Sequence, residues 1–201
     1  MWKRWSIVLA TGFLLAGCDQ KEKTEVTKAE VAATPDISVV YSRLDELLAG
    51  GQTNQAVDLL GSLIRARTYE DQSGWLFSSM LNILLAADRV GDAKARFAEV
   101  IGKDDPLTRS GLPVLQGYYQ ARGNVPEYEA WVDSMMKSAL PKDLLAQVYS
   151  WRFCLLNQKG QWDGVLALVP ECLKTFDADT NRRLMGELVA GELGAGKYDN
   201  V

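Results

Sequence analysis

The stretch Gly51-Gln52-Thr53-Asn54-Gln55-Ala56 decides the fold, because variants of it recur along the chain at nearly constant intervals. The other copies are Asp88-Arg89-Val90-Gly91-Asp92-Ala93, Gly123-Asn124-Val125-Pro126-Glu127-Tyr128, Gly160-Gln161-Trp162-Asp163-Gly164-Val165 and Gly196-Lys197-Tyr198-Asp199-Asn200-Val201. We call each copy a junction. Successive junctions begin 37, 35, 37 and 36 residues apart. Each interrupts helical periodicity, so a repeat of this length predicts a stack of helical hairpins.

An apolar stripe lies on both sides of each junction. Positions eleven, seven and four before it, and five, nine and twelve after it, have the spacing of one helix face. Before the junctions these residues are Val40, Leu44, Leu47, Phe77, Leu81, Leu84, Leu112, Gln116, Tyr119, Tyr149, Phe153, Leu156, Met185, Val189 and Glu192. After the junctions they are Ala56, Leu60, Leu63, Ala93, Phe97, Val100, Tyr128, Val132, Met135, Val165, Val169, Cys172 and Val201. All but Gln116 and Glu192 are apolar, which predicts two core-forming helices in each repeat.

Consecutive hairpins are separated by a second set of breaks, at 68–73, 102–106, 138–141 and 177–180. The repeat length and the junction pattern of glycine, aromatic and small residues resemble the tetratricopeptide-repeat (TPR) superfamily. The resemblance implies an all-α fold, a right-handed α-solenoid of about 4.5 TPR-like hairpins of 35–37 residues. The alternative is a loose helical bundle without superhelical stacking. Pro170 falls inside the second helix of the fourth hairpin, where it predicts a kink or a split.

The N-terminus has the three parts of a secretory leader. Lys3 and Arg4 precede an apolar run over residues 6–16, which is too short to span a bilayer as a helix. The run ends in Leu15-Ala16-Gly17-Cys18, which resembles the lipobox of bacterial lipoproteins. The resemblance implies that residues 1–17 are a signal peptide and that Cys18 carries diacylglyceryl and further acyl chains such as palmitate, a durable membrane anchor.

The leader implies a location in the bacterial cell envelope, with the protein lipid-anchored and facing the periplasm. Asp19 is similar to an inner-membrane retention signal, which favours the inner membrane. Residues 18–35, the acylated cysteine and the charged stretch after it, contain almost nothing bulky to bury, so we expect a flexible tether. Residues 36–201 would form the repeat domain. Val201 falls where the fifth hairpin's second helix would begin, so we expect a C-terminal truncation or a partner that covers the last helix.

Composition argues against several classes of function. The chain has 22 Lys and Arg against 26 Asp and Glu, and removal of residues 1–17 takes away two basic residues and leaves a net charge of −6. An acidic chain without a basic run does not favour nucleic acid. It contains no histidine and no closely spaced cysteine pair, so we expect no metal, no other cofactor and no catalytic residues.

Three further features have unremarkable interpretations. Gly191 to Lys197 has the glycine and lysine spacing of a P-loop, but Tyr198 replaces the required hydroxyl residue, so we expect a glycine-rich turn and no nucleotide. The axial offset of Cys154 and Cys172 is roughly 9 Å. A disulfide needs Cα atoms within about 7 Å, so two unbridged thiols are expected, with a disulfide as the alternative. The acidic side chains of the third hairpin are expected on the outer surface: Glu127, Glu129 and Asp133.

In a stack of hairpins the first helices line a long groove. Side chains ten, six and three positions before each junction are expected to point into it and to bind a partner: Tyr41, Asp45, Ser78, Asn82, Gln120, Ser150, Cys154 and Asn157. The tryptophans are expected as either core or contact residues: Trp75, Trp131, Trp151 and Trp162. The charged clamp of chaperone-binding TPR proteins is not reproduced, because Asn82 lacks basic companions in the following repeat.

The leading hypothesis is a membrane-anchored envelope lipoprotein that acts as a protein–protein interaction scaffold or adaptor. Its groove would hold another envelope protein or an extended peptide of that protein. One alternative is a carrier that binds a small ligand, either a glycan fragment or a peptide. The other is a positioning module for a missing C-terminal domain.

Overall fold

The computed structural model describes residues 36–194, and their side chains as far as residue 186. The prediction of an all-α fold is confirmed for this range, which contains no β-strand. The signal peptide, Cys18 and the tether lie outside it. No helix within it is long and apolar enough to cross a bilayer. The helices are α1 (Ile37–Ala49), α2 (Thr53–Ala66), α3 (Ser73–Ala86), α4 (Val90–Val100), α5 (Asp105–Arg122), α6 (Val125–Met136), α7 (Lys142–Gln158), α8 (Trp162–Thr175) and α9 (Ala178–Gly194).

The first four predicted junctions separate helices of a pair, and the fifth, at Gly196, lies outside the described residues. In each of the four described junctions the first residue has a left-handed backbone, with φ of +68° at Gly51, +57° at Asp88, +64° at Gly123 and +65° at Gly160. This conformation ends a helix and is cheapest for glycine, which has no Cβ. Aspartate tolerates it better than most residues, which accounts for the one non-glycine junction.

The second breaks fall close to the predicted positions. A short 3₁₀ turn, Glu70–Gln72, precedes α3. The Asp104 carboxylate caps α5 by accepting a hydrogen bond of 3.2 Å from the Leu107 amide. Sequential helices pack together, and α3 and α7 also pack along α5 and α9 respectively.

Polar contacts recur between residues 32 to 35 positions apart, which is close to one repeat. They link helices or turns at similar places in consecutive hairpins. They are Ser78 Oγ to Ser110 O at 3.0 Å, Arg89 Nη1 to Asn54 Oδ1 at 2.6 Å, Arg122 Nη1 to Asp88 Oδ1 at 3.0 Å, and Arg109 Nη2 to Asp143 Oδ1 at 3.1 Å.

The predicted stripes form the core. Of the stripe residues whose side chains are described, all are buried except five that are half-buried: Leu63, Val100, Gln116, Val169 and Met185. The core divides across α7. Val148, Trp151 and Leu155 pack with the helices before it, whereas Tyr149 and Phe153 pack with α8 and α9.

Of the two outcomes predicted at Pro170, the split does not occur, and the turn expected at Gly191 is wrong as far as the described residues extend. Helix α8 runs from Trp162 to Thr175 without a split at Pro170. Pro170 and Leu166 are both exposed, so the Leu166 carbonyl that loses its helical donor lies on the solvent side. The expected turn at Gly191 is helical as far as Gly194, because α9 continues through it, and the rest of that motif lies outside the described residues.

Candidate binding site

Two open cavities lie where predicted groove residues meet the junctions. The first cavity has a volume of about 400 Å³ and is lined by Leu48, Thr53, Asn82, Ile83, Ala86 and Ala87. The second cavity has a volume of about 330 Å³ and is lined by Tyr119, Gln120, Gly123, Val125, Tyr128, Trp151, Cys154, Leu155 and Gln158. The structure thus brings Gln120 and Cys154 together in one cavity and places Asn82 in the other.

The two cavities occupy the same place in the repeat. Five residues of the first cavity, Leu48, Thr53, Asn82, Ile83 and Ala86, have counterparts 72 residues later in the second. The counterparts are Gln120, Val125, Cys154, Leu155 and Gln158. Seventy-two residues is the combined length of the first two repeat intervals, 37 and 35 residues. Each cavity therefore lies between the junction of one hairpin and the C-terminal half of the next hairpin's first helix.

The cavities differ in the side chains that form their walls. The second cavity has Tyr119, Tyr128 and Trp151. Seventy-two residues earlier the chain has Leu47, Ala56 and Ser79. This replacement of small and aliphatic residues by rings gives the second cavity an aromatic wall.

The aromatic side chains around the second cavity form a compact cluster, in which the ring centroids of Tyr119 and Trp131 lie 5.2 Å apart at 32°. The ring centroids of Tyr119 and Tyr128 are 6.3 Å apart at 21°, and those of Tyr128 and Trp131 are 6.1 Å apart at 20°. Trp131 and Trp151 follow at 5.9 Å and 24°. Offset stacking of this kind is the favoured geometry of aromatic pairs. Burial raises the pKa of Tyr128, whose hydroxyl is hydrogen-bonded by the side chains of Gln116 and Gln120.

Charge distinguishes the two cavities from others on the surface. Among the described residues, neither cavity has a charged side chain in its lining. A third cavity, between α2 and α4, contains Arg89, Asp92 and Arg96. Over residues 36–186 no group of three or more acidic or cysteine side chains is placed to hold a metal ion. The first two cavities therefore suit an uncharged occupant, because a charged group would find no ion-pair partner in either lining.

The equivalent place between α3 and α5 is covered. Tyr118 stands at the repeat position of Ile83 and Leu155, and the Arg122 guanidinium lies 5.3 Å from its ring centroid. Arg122 also pairs with Asp88 at 3.0 Å. Helices α3 and α5 approach closely because Gly111 has no side chain, and a Cβ there would lie 2.8 Å from ring atoms of both Phe77 and Phe97.

Other predicted groove residues lie outside the two cavities. Tyr41 packs edge-on against Trp75, with ring centroids 4.4 Å apart, and both rings stay about 40% exposed. The Ser78 hydroxyl is hydrogen-bonded to the Ser110 carbonyl, as described above. Asp45 is exposed and Ser150 is half-buried. Among the described residues, the Asn157 Oδ1 atom is buried without a hydrogen-bond partner.

An ion-pair network holds α6 against α7 beside the second cavity. Arg152 contacts Glu129 at 3.0 Å and Asp133 at 3.1 Å, and Lys159 also pairs with Glu129. The Glu129 side chain is only 17% exposed, so its predicted place on the outer surface is wrong. Lys159, and to a smaller extent Arg152, lower the pKa of Glu129. Arg152 lies in α7 and Lys159 directly after it, 23 and 30 residues after Glu129, and no local pattern in the sequence indicates this pairing.

The two cysteines of the described residues differ in environment. Cys154 is exposed in the second cavity, whereas Cys172 is buried, and no disulfide joins them. Burial, with the nearby negative charge of Glu171, raises the pKa of Cys172 to about 11. Only Cys154 is therefore placed to react with reagents in solution.

No protein-family model matches the chain, and no curated protein matches it. The function is therefore inferred from the geometry of the two cavities and from the sequence.

Proposed function

We propose that this protein is a lipid-anchored adaptor of the bacterial envelope that holds an extended segment of a partner protein. The single observation that carries the proposal is the position of the two uncharged cavities. Residues that the repeat pattern assigns to a groove, namely Asn82, Gln120 and Cys154, line these cavities. Concave, mostly apolar sites with a few polar groups are typical binding sites.

The TPR-like solenoid is the finer part of the proposed architecture. The regular junctions, the buried stripes and the polar contacts between residues about one repeat apart support it. In a solenoid each repeat contacts its neighbours and the first helices present a continuous surface to a partner. A loose bundle does not predict two equivalent cavities whose lining residues are 72 positions apart in the sequence.

The envelope location rests on the N-terminal sequence alone. Cys18 of the lipobox-like motif would carry the lipid, and Asp19 favours the inner membrane. To test the anchor, full-length protein and a Cys18→Ser variant would be expressed in a bacterium that processes lipoproteins. We expect palmitate incorporation and membrane association for the parent and loss of both for the variant. Equal labelling of the two proteins would contradict the lipid anchor.

The adaptor function is tested by crosslinking in native membranes, with mass spectrometry to identify and quantify each captured protein. A triple variant, Asn82→Ala, Gln120→Ala and Gln158→Ala, removes three exposed amides from the cavities. We expect it to capture the parent's principal partner at least about tenfold less, a change of about 1.4 kcal/mol.

The control variant, Gln55→Ala, Glu99→Ala and Lys174→Ala, alters exposed residues that line neither cavity. It should capture the partner as the parent does. Equal capture by both variants, with unchanged helical circular dichroism, would contradict the adaptor.

A carrier of a small ring-shaped ligand is the second candidate, and the aromatic cluster at the second cavity favours it. The aromatic side chains of Tyr128 and Trp151 and the amides of Gln120 and Gln158 in the lining suit an uncharged ring with hydroxyl groups. Native mass spectrometry of protein purified from the envelope would show a bound glycan or small molecule. If the mass spectrum contains only protein without a ligand, and this protein still captures the partner, the result would support the adaptor over the carrier.

A further inference from the structure

We propose that the two cavities are two subsites for one extended, uncharged peptide segment, with an aliphatic side chain in the first cavity and a flat aromatic side chain in the second. This inference rests on the proposed binding function and specifies its partner. It follows from the recurrence of one cavity at one repeat position, the difference between the two linings, and the covered place between them.

Recurrence at the same repeat position gives the spacing of the two anchors. Of the first helices of consecutive hairpins, α3 packs against α5 and α7 against α9. Packed helices lie about 8–10 Å apart, and taking this as the advance per repeat gives roughly 16–20 Å between the two cavities. An extended chain advances about 3.3 Å per residue. Two anchor side chains should therefore be about five or six residues apart in the partner.

The linings determine which side chain each cavity accepts. In the first cavity Leu48, Ile83 and Ala86 provide aliphatic surface, and Asn82 provides one amide. Its walls include no ring, so an aliphatic anchor is the better complement. In the second cavity Tyr119, Tyr128 and Trp151 provide aromatic surface, against which a further flat ring packs favourably.

The linings favour uncharged anchors over acidic and basic ones. A charged anchor would lose part of its hydration without gaining an ion pair, because no charged side chain of the described residues lines either cavity. Between the cavities, Arg122 covers Tyr118 and is paired with Asp88. The segment between the anchors therefore crosses a place that is already covered by the protein's own side chains.

The test measures peptide affinity with the full-length lipoprotein in detergent. Fluorescein-labelled peptides would carry one Leu and one Trp separated by two, five, six or twelve positions, in both orders, in a Gly-Ser background. Two linked anchors bind more tightly than either alone when the linker matches the span. We expect peptides with a separation of five or six positions to have a Kd at least about tenfold lower than peptides with a separation of two or twelve. Peptides with only one of the two anchors should also bind at least about tenfold more weakly.

Matched variants separate the two cavities. Thr53→Asp and Val125→Asp place a carboxylate at equivalent lining positions, 72 residues apart. Both residues begin a helix, α2 and α6, where an acidic side chain is favourable, so both variants should fold. Thr53→Asp should remove the contribution of the peptide's Leu to the binding affinity. Val125→Asp should remove the contribution of the peptide's Trp. Leu166→Asp, on the exposed face of α8, is the control and should bind as the parent does.

Several outcomes would overturn the inference. The first is a Kd that does not depend on anchor spacing. The second is an equal loss of peptide affinity in Leu166→Asp and in the cavity variants. The third is displacement of the peptide from the second cavity by chitobiose but not by N-acetyl-tryptophanamide. Spacing-dependent peptide binding without groove-dependent partner capture would instead contradict the adaptor. Capture that depends on the groove, with no spacing effect on peptides, would overturn the two-subsite assignment alone.

Discussion

Glycine has two separate physical purposes in this chain, and substitutions distinguish them. At Gly160 the backbone is left-handed, and a Cβ there would meet no atom within 4 Å. Alanine should therefore destabilise the protein through backbone conformation alone. We expect Gly160→Ala to lower the free energy of unfolding by about 1 kcal/mol in urea.

Gly117 is the matched control, because a Cβ there also meets nothing but its backbone is helical. Gly117→Ala should raise the free energy of unfolding by about 0.5–1 kcal/mol. Equal effects of the two substitutions would show that the junction glycine is not selected for its left-handed backbone.

Gly111 allows helices α3 and α5 to pack closely. Its Cβ would lie 2.8 Å from ring atoms of Phe77 and Phe97, both of which are buried. We expect Gly111→Ala to destabilise the protein by about 1–3 kcal/mol through overpacking, although alanine is the better helix former. Urea unfolding of Gly111→Ala and of Gly117→Ala, which lies in the same helix, measures both free energies of unfolding. A stabilised Gly111→Ala protein would mean that α3 and α5 separate freely.

At the scale of elements, the contact of α6 with α7 depends on a shielded carboxylate. Lys159 and Arg152 lower the pKa of Glu129 in the folded state. Its stabilising contribution is therefore present above the unfolded pKa, near 4.5, and is lost as pH falls through the lower folded value. We expect Glu129→Gln to cost about 1–2 kcal/mol at pH 7, and this cost to shrink as the pH is lowered below about 4.5.

The control for this experiment is Glu46→Gln. Glu46 pairs with Arg43 at 2.8 Å, but its side chain is 66% exposed. Exposed pairs contribute little, so the change should stay within about 0.5 kcal/mol at pH 7. Urea unfolding curves at several pH values measure both variants. A Glu129→Gln cost that persists unchanged at low pH would contradict the charge-based account.

At the scale of the whole molecule, the rates at which Cys154 and Cys172 react with a thiol reagent report on different events, ligand binding and unfolding. Cys154 is exposed, whereas Cys172 is buried and its pKa is raised to about 11. In the folded protein we expect maleimide to modify Cys154 at least about 100-fold faster than Cys172. Peptide mapping by mass spectrometry distinguishes both sites from Cys18. Comparable rates for the two sites would contradict the buried position of Cys172.

Increasing urea should accelerate Cys172 labelling in parallel with the loss of helical circular dichroism, because its exposure requires the core to open. An occupant of the second cavity should slow Cys154 labelling without this parallel change, since Cys154 lies in the lining. The same reagent thus separates ligand binding from unfolding.

Local chemistry made much of the fold predictable. A left-handed residue is needed to end each first helix, so Gly51, Gly123 and Gly160 mark the junctions in the sequence itself. Helical spacing likewise indicates the buried stripes, for example Val40, Leu44 and Leu47. The split predicted at Pro170 failed because the lost hydrogen bond falls on the solvent side, which only the orientation of α8 in the fold determines.

By itself, then, the sequence determined the helical hairpins, their boundaries and their core faces, because these follow from backbone preference and periodicity within a few turns. Only the tertiary structure decided that cavities stay open beside Asn82 and Cys154 while Tyr118 and Arg122 cover the place between. It also decided that Glu129 is shielded. Those outcomes depend on how closely helices approach and on side chains 20 to 70 residues apart, such as Gly111 against Phe77, and no local pattern encodes such distances.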